Sequence, residues 1–230
     1  MDDSTWPGKL RHVVEEMQHE GGQPSTIREE IANAVTAGVG AALSVVGLVL
    51  LVLRAAATGD PWRVVSFTIF GATMVLLYLV STLYHSLTRT RMRRLFKVLD
   101  HAFIYVLIAG TYTPFMLVYL RGPWGWSMFG ALWALAIAGV VFKIAYADHF
   151  RRASTLLYLA MGWLGVIAAK PLLNAVPASA LLWLLAGGAV YSLGTLFYVW
   201  RGQKYHHAMW HLFVLGGTGC HFVAVYGYLA

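Results

Sequence analysis

Two histidines four residues apart, His207 and His211, are the first pattern in this sequence that could do chemistry. In a helix this spacing places both imidazoles on one face, one turn apart, where they can bind the same metal ion. His85 would add a third imidazole. Three protein ligands with an open fourth position are typical of catalytic zinc, which lowers the pKa of bound water toward ~7 and so makes a nucleophile. These residues predict a zinc site.

Asp100 and Ser81 are the candidates for the rest of the chemistry. Ala208 follows His207 where a helical metalloprotease has its glutamate, so a general base must come from elsewhere. Asp100 could orient the water or take its proton, and Ser81 shares a helix face with His85, four residues later. Simpler interpretations stay open: Asp100 as the N-terminal cap of a helix, and the histidines as packing or interfacial residues.

Three further histidines, His101, His206 and His221, could lie in a second shell or line a cavity. His101 is next to Asp100, and His206 is one step off the face of the histidine pair, so both are expected at supporting or surface positions. His221 is ten residues beyond His211, about 15 Å deeper along a helix at ~1.5 Å per residue. Satisfied packing is an equally good interpretation of His221.

Membrane-spanning helices must position these residues. Of 230 residues, 59% are apolar and 12% charged, whereas soluble domains have about 45–50% and 25%. Seven apolar runs approach the ~20 residues that a helix needs to cross a bilayer, and the connections between them are short. Barrel strands would instead show ~10-residue alternating segments. The sequence predicts an all-α, seven-helix membrane bundle, with runs at 31–53, 64–87, 100–120, 124–146, 153–170, 178–200 and 207–229.

The same composition excludes several function classes. A single cysteine excludes a disulfide scaffold. The net charge is +7, but the cations lie in the gaps between apolar runs, so no nucleic-acid partner is expected. Walker A and Rossmann glycine patterns are absent, so no nucleotide is expected. Membrane lipids surround a chain of this composition, and the sequence does not indicate protein partners.

The distribution of Lys and Arg predicts the orientation. Thirteen of them lie on the side of the N-terminus and four on the other, and such residues accumulate in cytoplasmic loops. We therefore expect residues 1–26 to be a polar cytoplasmic tail, residues 27–230 to be the seven-helix domain in the plasma (inner) membrane, and Ala230 to lie outside. Lys143 and Lys170 fall at run ends, from which long side chains reach the interface. His85, Asp100, His207 and His211 fall near the cytoplasmic ends of their runs.

Several blocks of this chain resemble the hemolysin III family, the bacterial branch of the progestin and adipoQ receptor family. That family is grouped with the alkaline ceramidases among proposed membrane hydrolases. The resemblance covers about residues 27–230, although Ala37 stands where the family often has His. The blocks are Glu29-Glu30-Ile-Ala-Asn33-Ala-Val-Thr36, Ser81-Thr-Leu-Tyr-His85, Leu99-Asp100-His101 with Gly110-Thr-Tyr-Thr-Pro114, His207-Ala-Met-Trp-His211-Leu-Phe-Val214 and Cys220-His221-Phe222.

The resemblance implies a zinc ion at the cytoplasmic ends of the second, third and seventh spans. Its ligands would be His85, His207 and His211, with a water near Asp100 and Ser81 beside the site. The implied activity is hydrolysis of lipid amide or ester bonds in membrane homeostasis. The alternatives are a receptor or regulatory protein, or a pore-forming cytolysin, in which zinc is structural. A transporter or channel is less favoured, because a pore should place polar residues along its full depth.

Metal content, measured by mass spectrometry on detergent-purified protein, tests the zinc prediction. The wild-type protein should hold about one zinc per chain, and alanine at His85, His207 or His211 should lower both metal content and stability, because metal binding is coupled to folding. Full occupancy in His85→Ala would show that the second span supplies no ligand. Absence of metal in folded wild-type protein never exposed to chelator would contradict the site as a whole.

Overall fold

The computed structural model describes residues 26–87, 91–146, 150–200 and 203–228. Residues 1–25, nearly all of the predicted cytoplasmic tail, lie outside the described residues. Across the described ranges the chain is helical and contains no strand. The helices are α1 (Ile27–Ala56), α2 (Pro61–Ser86), α3 (Arg91–Pro114), α4 (Pro123–Tyr146), α5 (Arg151–Gly162), α6 (Ala169–Ala175), α7 (Ala178–Val199) and α8 (His206–Tyr228).

Seven stretches of the described chain are long and apolar enough to cross a membrane, which confirms the predicted seven-helix architecture. The bundle has the polarity of a membrane protein. On α1, Val35, Val39 and Val46 face outward, whereas Asn33 and Ser44 are buried. Lipid tails accept the valines, while polar groups must find partners inside the protein.

The third span begins earlier than predicted. Helix α3 starts at Arg91, nine residues before the expected start at Asp100. Asp100 therefore lies inside a helix and is 7% exposed, so its interpretation as an N-terminal cap is wrong. At the other end of α3, Pro114 lacks a backbone N–H, and the helix widens into a π-helical turn at Phe115–Tyr119.

The fifth span is broken. Between α5 and α6 the chain forms a 3₁₀ turn at Leu164–Ala168. Breaks of this kind free backbone groups that need partners inside a membrane protein. The Tyr112 hydroxyl of α3 supplies two bonds, donating to the Gly162 carbonyl and accepting from the Gly165 N–H at 3.1 Å. Tyr112 therefore holds the break against α3.

The helices enclose a cavity. Helix α1 packs against α2 and α8, α2 packs against α3, α3 against α5, and α7 against α8, while α4 packs on α3. The start of α1 is set by a capping box, in which Thr26 and Glu29 exchange hydrogen bonds. Close approach of α1 to α2 depends on Gly71: a Cβ there would lie 3.0 Å from the Leu48 Cα and closer to the Leu48 side chain.

Gly71→Ala should therefore destabilise the protein, by about 1–3 kcal/mol as expected for overpacking, because the α1 backbone has to move. Thermal unfolding in detergent is the measurement. Gly130→Ala in α4 is the matched control, since its Cβ would meet nothing within 4 Å and alanine is the better helix former. Equal melting temperatures for the two variants would show that Gly71 does not set the distance between α1 and α2.

Candidate metal centre

Three histidine rings meet where α2 ends and α8 begins. The ring centroids are 4.9 Å apart for His85 and His207, 5.1 Å for His85 and His211, and 4.6 Å for His207 and His211. One nitrogen from each ring lies within 4.8 Å of the other two. His85 and His211 are buried and His207 is half-buried. The predicted convergence of these residues is confirmed, and the cluster could hold a metal ion.

The nitrogens of His85 have distinct roles. Nδ1 lies 2.8 Å from the Glu30 Oε2 atom. Because a carboxylate oxygen accepts, Nδ1 carries the proton and Nε2 keeps its lone pair. The Nε2 atoms of His85 and His207 are both buried and lack a hydrogen-bond partner among the described residues. Buried polar atoms without a partner are costly, and a shared metal ion would satisfy both nitrogens.

His211 is oriented in the same way by α1. Its Nδ1 atom lies 3.2 Å from the Asn33 carbonyl oxygen and 3.0 Å from the Thr36 hydroxyl oxygen. The carbonyl only accepts, and the Thr36 hydroxyl already donates to backbone carbonyls of its own helix. Nδ1 is therefore the protonated nitrogen, and the Nε2 lone pair of His211 is free for a metal. Hydrogen bonds of this kind commonly hold metal-binding histidines in one tautomer.

Sequence reasoning missed this support from α1. The other carboxylate oxygen of Glu30, Oε1, accepts from Arg93 Nη2 at 2.8 Å, so one carboxylate joins α1, α2 and α3. The signal was present as Glu30, Asn33 and Thr36, three polar residues spaced by three along a mostly apolar helix. Their spacing places them along one face, turned toward the histidines.

Asp100 and Ser81 share a cavity with His211. Both are buried, at 7% and 4% exposure. The Asp100 Oδ2 atom lies 3.5 Å from His101 Nδ1, a ring nitrogen that donates to the Lys97 carbonyl at 2.8 Å. The structure thus brings both predicted catalytic residues to the cavity wall beside the cluster, and their roles stay predictions.

His101, His206 and His221 do not form part of the ring triangle, although the His206 ring lies 6.4 Å from that of His207. His101 supports α5, because its carbonyl accepts from the Tyr158 hydroxyl at 2.8 Å. His206 lies near the chain's turn into α8, where its Nδ1 atom donates to the Gln203 carbonyl at 3.1 Å. His221 lines the cavity farther along α8, one of the two positions that the sequence left open for it.

Lys143 corrects a prediction. It was expected to reach the membrane interface, yet it is 3% exposed and interacts electrostatically with His101. Its burial reflects the packing of α4 on α3, the helix that carries His101.

The cavity beside the cluster has a volume of about 310 Å³. Its wall is formed by α2, α3, α5, α6, α7 and α8 and is mostly apolar. Ser81, Asp100 and His211 lie at one end, and His221 lies on the same helix as His211, ten residues farther along. A cavity of this shape suits an elongated apolar molecule with a polar group at the histidine end.

Comparison with known proteins agrees with this architecture. The family model for haemolysin-III-related proteins matches residues 25–222. The chain belongs to the haemolysin-III-related family. It is 49% identical to Hemolysin-3 of Bacillus cereus and 50% identical to the Hemolysin-3 homolog of Bacillus subtilis, each over 203 residues that cover 88% of this chain and 93% and 95% of the relatives.

A more distant similarity extends the family to animals. The chain is 29% identical to the human monocyte to macrophage differentiation factor over 210 residues, which cover 89% of this chain and 86% of that protein. No solved structure matches. The predicted resemblance to the hemolysin III family is thus confirmed, with a distant relative in the progestin and adipoQ receptor branch.

Glu30→Gln tests whether the α1 carboxylate supports the cluster. The amide keeps the size of the side chain but weakens the acceptor for His85, so metal affinity should fall about 10–100-fold, as for other residues that hold metal-binding histidines. Competition with a chromophoric chelator measures the affinity. Glu29→Gln is the matched control, because the neighbouring Glu29 bonds to Thr26 and to the Tyr205 N–H rather than to a histidine. Equal losses in the two variants would contradict a specific role for Glu30.

Proposed function

We propose that this haemolysin-III-related membrane protein is a zinc-dependent hydrolase of lipid amide or ester bonds. The observation that carries the proposal is the position of the histidine cluster, with Asp100 and Ser81, at one end of a long apolar cavity. A lipid could place its acyl chain in that cavity and its amide or ester group beside the cluster. We further propose that the cluster lies on the cytoplasmic side of the plasma membrane, as the Lys and Arg distribution predicts.

The donor set fits zinc. His85 and His211 have their Nε2 lone pairs free, and the buried Nε2 of His207 lacks a hydrogen-bond partner among the described residues, so the three imidazoles match the three-ligand pattern of catalytic zinc sites. When bound, zinc would supply an activated water and polarise the carbonyl group of the substrate. His85, His207 and His211 are the residues that would hold it. Imidazole also suits other divalent metals, so the metal content measurement identifies the ion.

Side chains of the protein then carry out proton transfer and hydrogen bonding to the substrate. Asp100 accepts a proton from the attacking water as the new C–O bond forms at the carbonyl carbon. It returns that proton to the leaving nitrogen or oxygen as the amide or ester bond breaks. Ser81, buried on the cavity wall, donates a hydrogen bond to the carbonyl oxygen. The products are a fatty acid and an amine or alcohol.

Access from the bilayer supports a lipid substrate. Val166, Leu173 and Leu185 line the cavity and are also 62%, 71% and 53% exposed. These residues belong to the fifth span and to α7, so we propose a lateral opening between these two elements. A lipid tail could pass through this opening without crossing water, which suits a substrate that stays in the membrane.

A second candidate function rests on a relative's name. The Bacillus cereus relative is named Hemolysin-3, which favours a pore-forming cytolysin in which the metal is structural. A non-catalytic receptor or regulatory role would use the metal in the same way. Both differ from the hydrolase in one respect: neither needs Asp100 to move a proton.

Asp100→Asn should therefore keep the metal and lower hydrolysis by at least about 100-fold, the lower bound for loss of general acid–base catalysis. Purified protein is incubated with N-acyl lipid amides and lysolipid esters in mixed micelles, and the released fatty acid is measured by mass spectrometry. Asp60→Asn is the control, because Asp60 caps the N-terminus of α2. His85 lies at the opposite end of that helix.

The two functions predict different outcomes. Loss of hydrolysis in Asp100→Asn with metal retained supports the hydrolase. Turnover that survives in Asp100→Asn removes Asp100 as the base. Metal-loaded wild-type protein that hydrolyses neither lipid class but lyses vesicles favours the cytolysin.

A further inference from the structure

A second polar cluster lies on the walls of the same cavity, separate from the histidine triangle. Tyr78, Tyr191 and His221 all line the cavity. Thr218 joins the two tyrosines, with its hydroxyl oxygen 2.9 Å from the Tyr78 hydroxyl and 2.7 Å from the Tyr191 hydroxyl. His221 lies ten residues beyond His211 on α8, about 15 Å along the axis. The hydrolytic mechanism uses none of these groups.

The directions of these hydrogen bonds follow from the single proton of a hydroxyl. Thr218 donates its proton to the Val214 carbonyl at 2.8 Å, within α8. Both tyrosine hydroxyls must therefore donate to the Thr218 oxygen, which accepts on its lone pairs. The oxygens of Tyr78 and Tyr191 keep lone pairs that can accept a further hydrogen bond.

His221 offers another acceptor. Its Nε2 atom lies 3.1 Å from the Leu184 carbonyl oxygen, which can only accept, so Nε2 is protonated. In a neutral imidazole the other nitrogen, Nδ1, is then an acceptor. Nδ1 is buried, and no described residue donates a hydrogen bond to it. Gly187 leaves room for the His221 ring, because a Cβ at this position would lie 2.3 Å from Nε2.

We propose that Tyr78, Tyr191 and His221 form a second binding site, which takes a hydroxyl group in the middle of a lipid acyl chain. A hydroxyl brings the proton that this acceptor cluster lacks. A keto or ether oxygen brings none, and an ammonium group would be buried without a counter-charge. The inference rests on the proposed function, because it assumes that an acyl chain enters the cavity with its polar end at the histidine cluster.

Oleic and ricinoleic acid provide the test, since they differ only by one mid-chain hydroxyl. Both resemble the fatty acid that hydrolysis would release. Delipidated wild-type protein is mixed with equal amounts of the two acids, and bound lipid is counted by native mass spectrometry. Ricinoleic acid should occupy the protein about tenfold more than oleic acid, as expected for satisfying a buried acceptor.

Variants assign the preference to the cluster. His221→Phe and Tyr191→Phe should each bring the ratio of bound ricinoleic to oleic acid close to one. Tyr119→Phe makes the same chemical change at a tyrosine that bonds to the Tyr228 carbonyl, and it should keep the wild-type ratio. If His221→Phe fails to fold, Tyr191→Phe decides.

The outcomes separate this inference from the proposed function. Equal binding of the two acids by the wild-type protein overturns the hydroxyl site and leaves the acyl cavity intact. A preference that survives in Tyr191→Phe and in folded His221→Phe also overturns it. Binding of neither acid contradicts the proposed function and this inference together.

Discussion

The histidine cluster depends on the two contacts that the Glu30 carboxylate makes with neighbouring helices. The carboxylate accepts from His85 on α2 and from Arg93 on α3, so one side chain of α1 ties three helices together. His85 is buried and Glu30 is half-buried, so loss of one partner would leave the other polar group without compensation. The tautomer of His85 and the link between α1, α2 and α3 beside the cluster follow from this contact, while Asn33 and Thr36 orient His211.

Helix α1 has one face that is exposed at the surface of the bundle and one face that contacts the histidine cluster. Its outer face is apolar, and its inner face carries Asn33 and Thr36, which orient His211, as well as Glu30. Close contact with α2 is possible because Gly71 has no side chain. A helix that contributes no metal ligand therefore fixes the orientation of two histidines. In membrane proteins such helix packing relies on small residues and interhelical hydrogen bonds rather than on the hydrophobic effect.

The sequence predicts much of this arrangement, for reasons that particular residues make clear. Apolar run length finds the seven spans, and the four-residue spacing of His207 and His211 predicts their shared face. Run length cannot find the start of α3, because its first turns, from Arg91, are polar and extend beyond the apolar stretch. The burial of Lys143 depends on the packing of α4 on α3, a tertiary contact that run length does not reveal. The partners of Glu30 depend on tertiary contacts with α2 and α3, which no pattern within α1 reveals.

The tyrosine that braces the broken fifth span has a mechanical consequence. Tyr112 bonds to both sides of the break from α3, and α3 also carries Asp100 twelve residues earlier. The wall of the proposed lateral opening and the acidic side chain at the histidine end of the cavity thus depend on one helix, α3. In the proposed hydrolase, a lipid that displaced the fifth span as it entered would act on the same helix that carries Asp100. Entry from the membrane and the position of Asp100 would then be mechanically coupled.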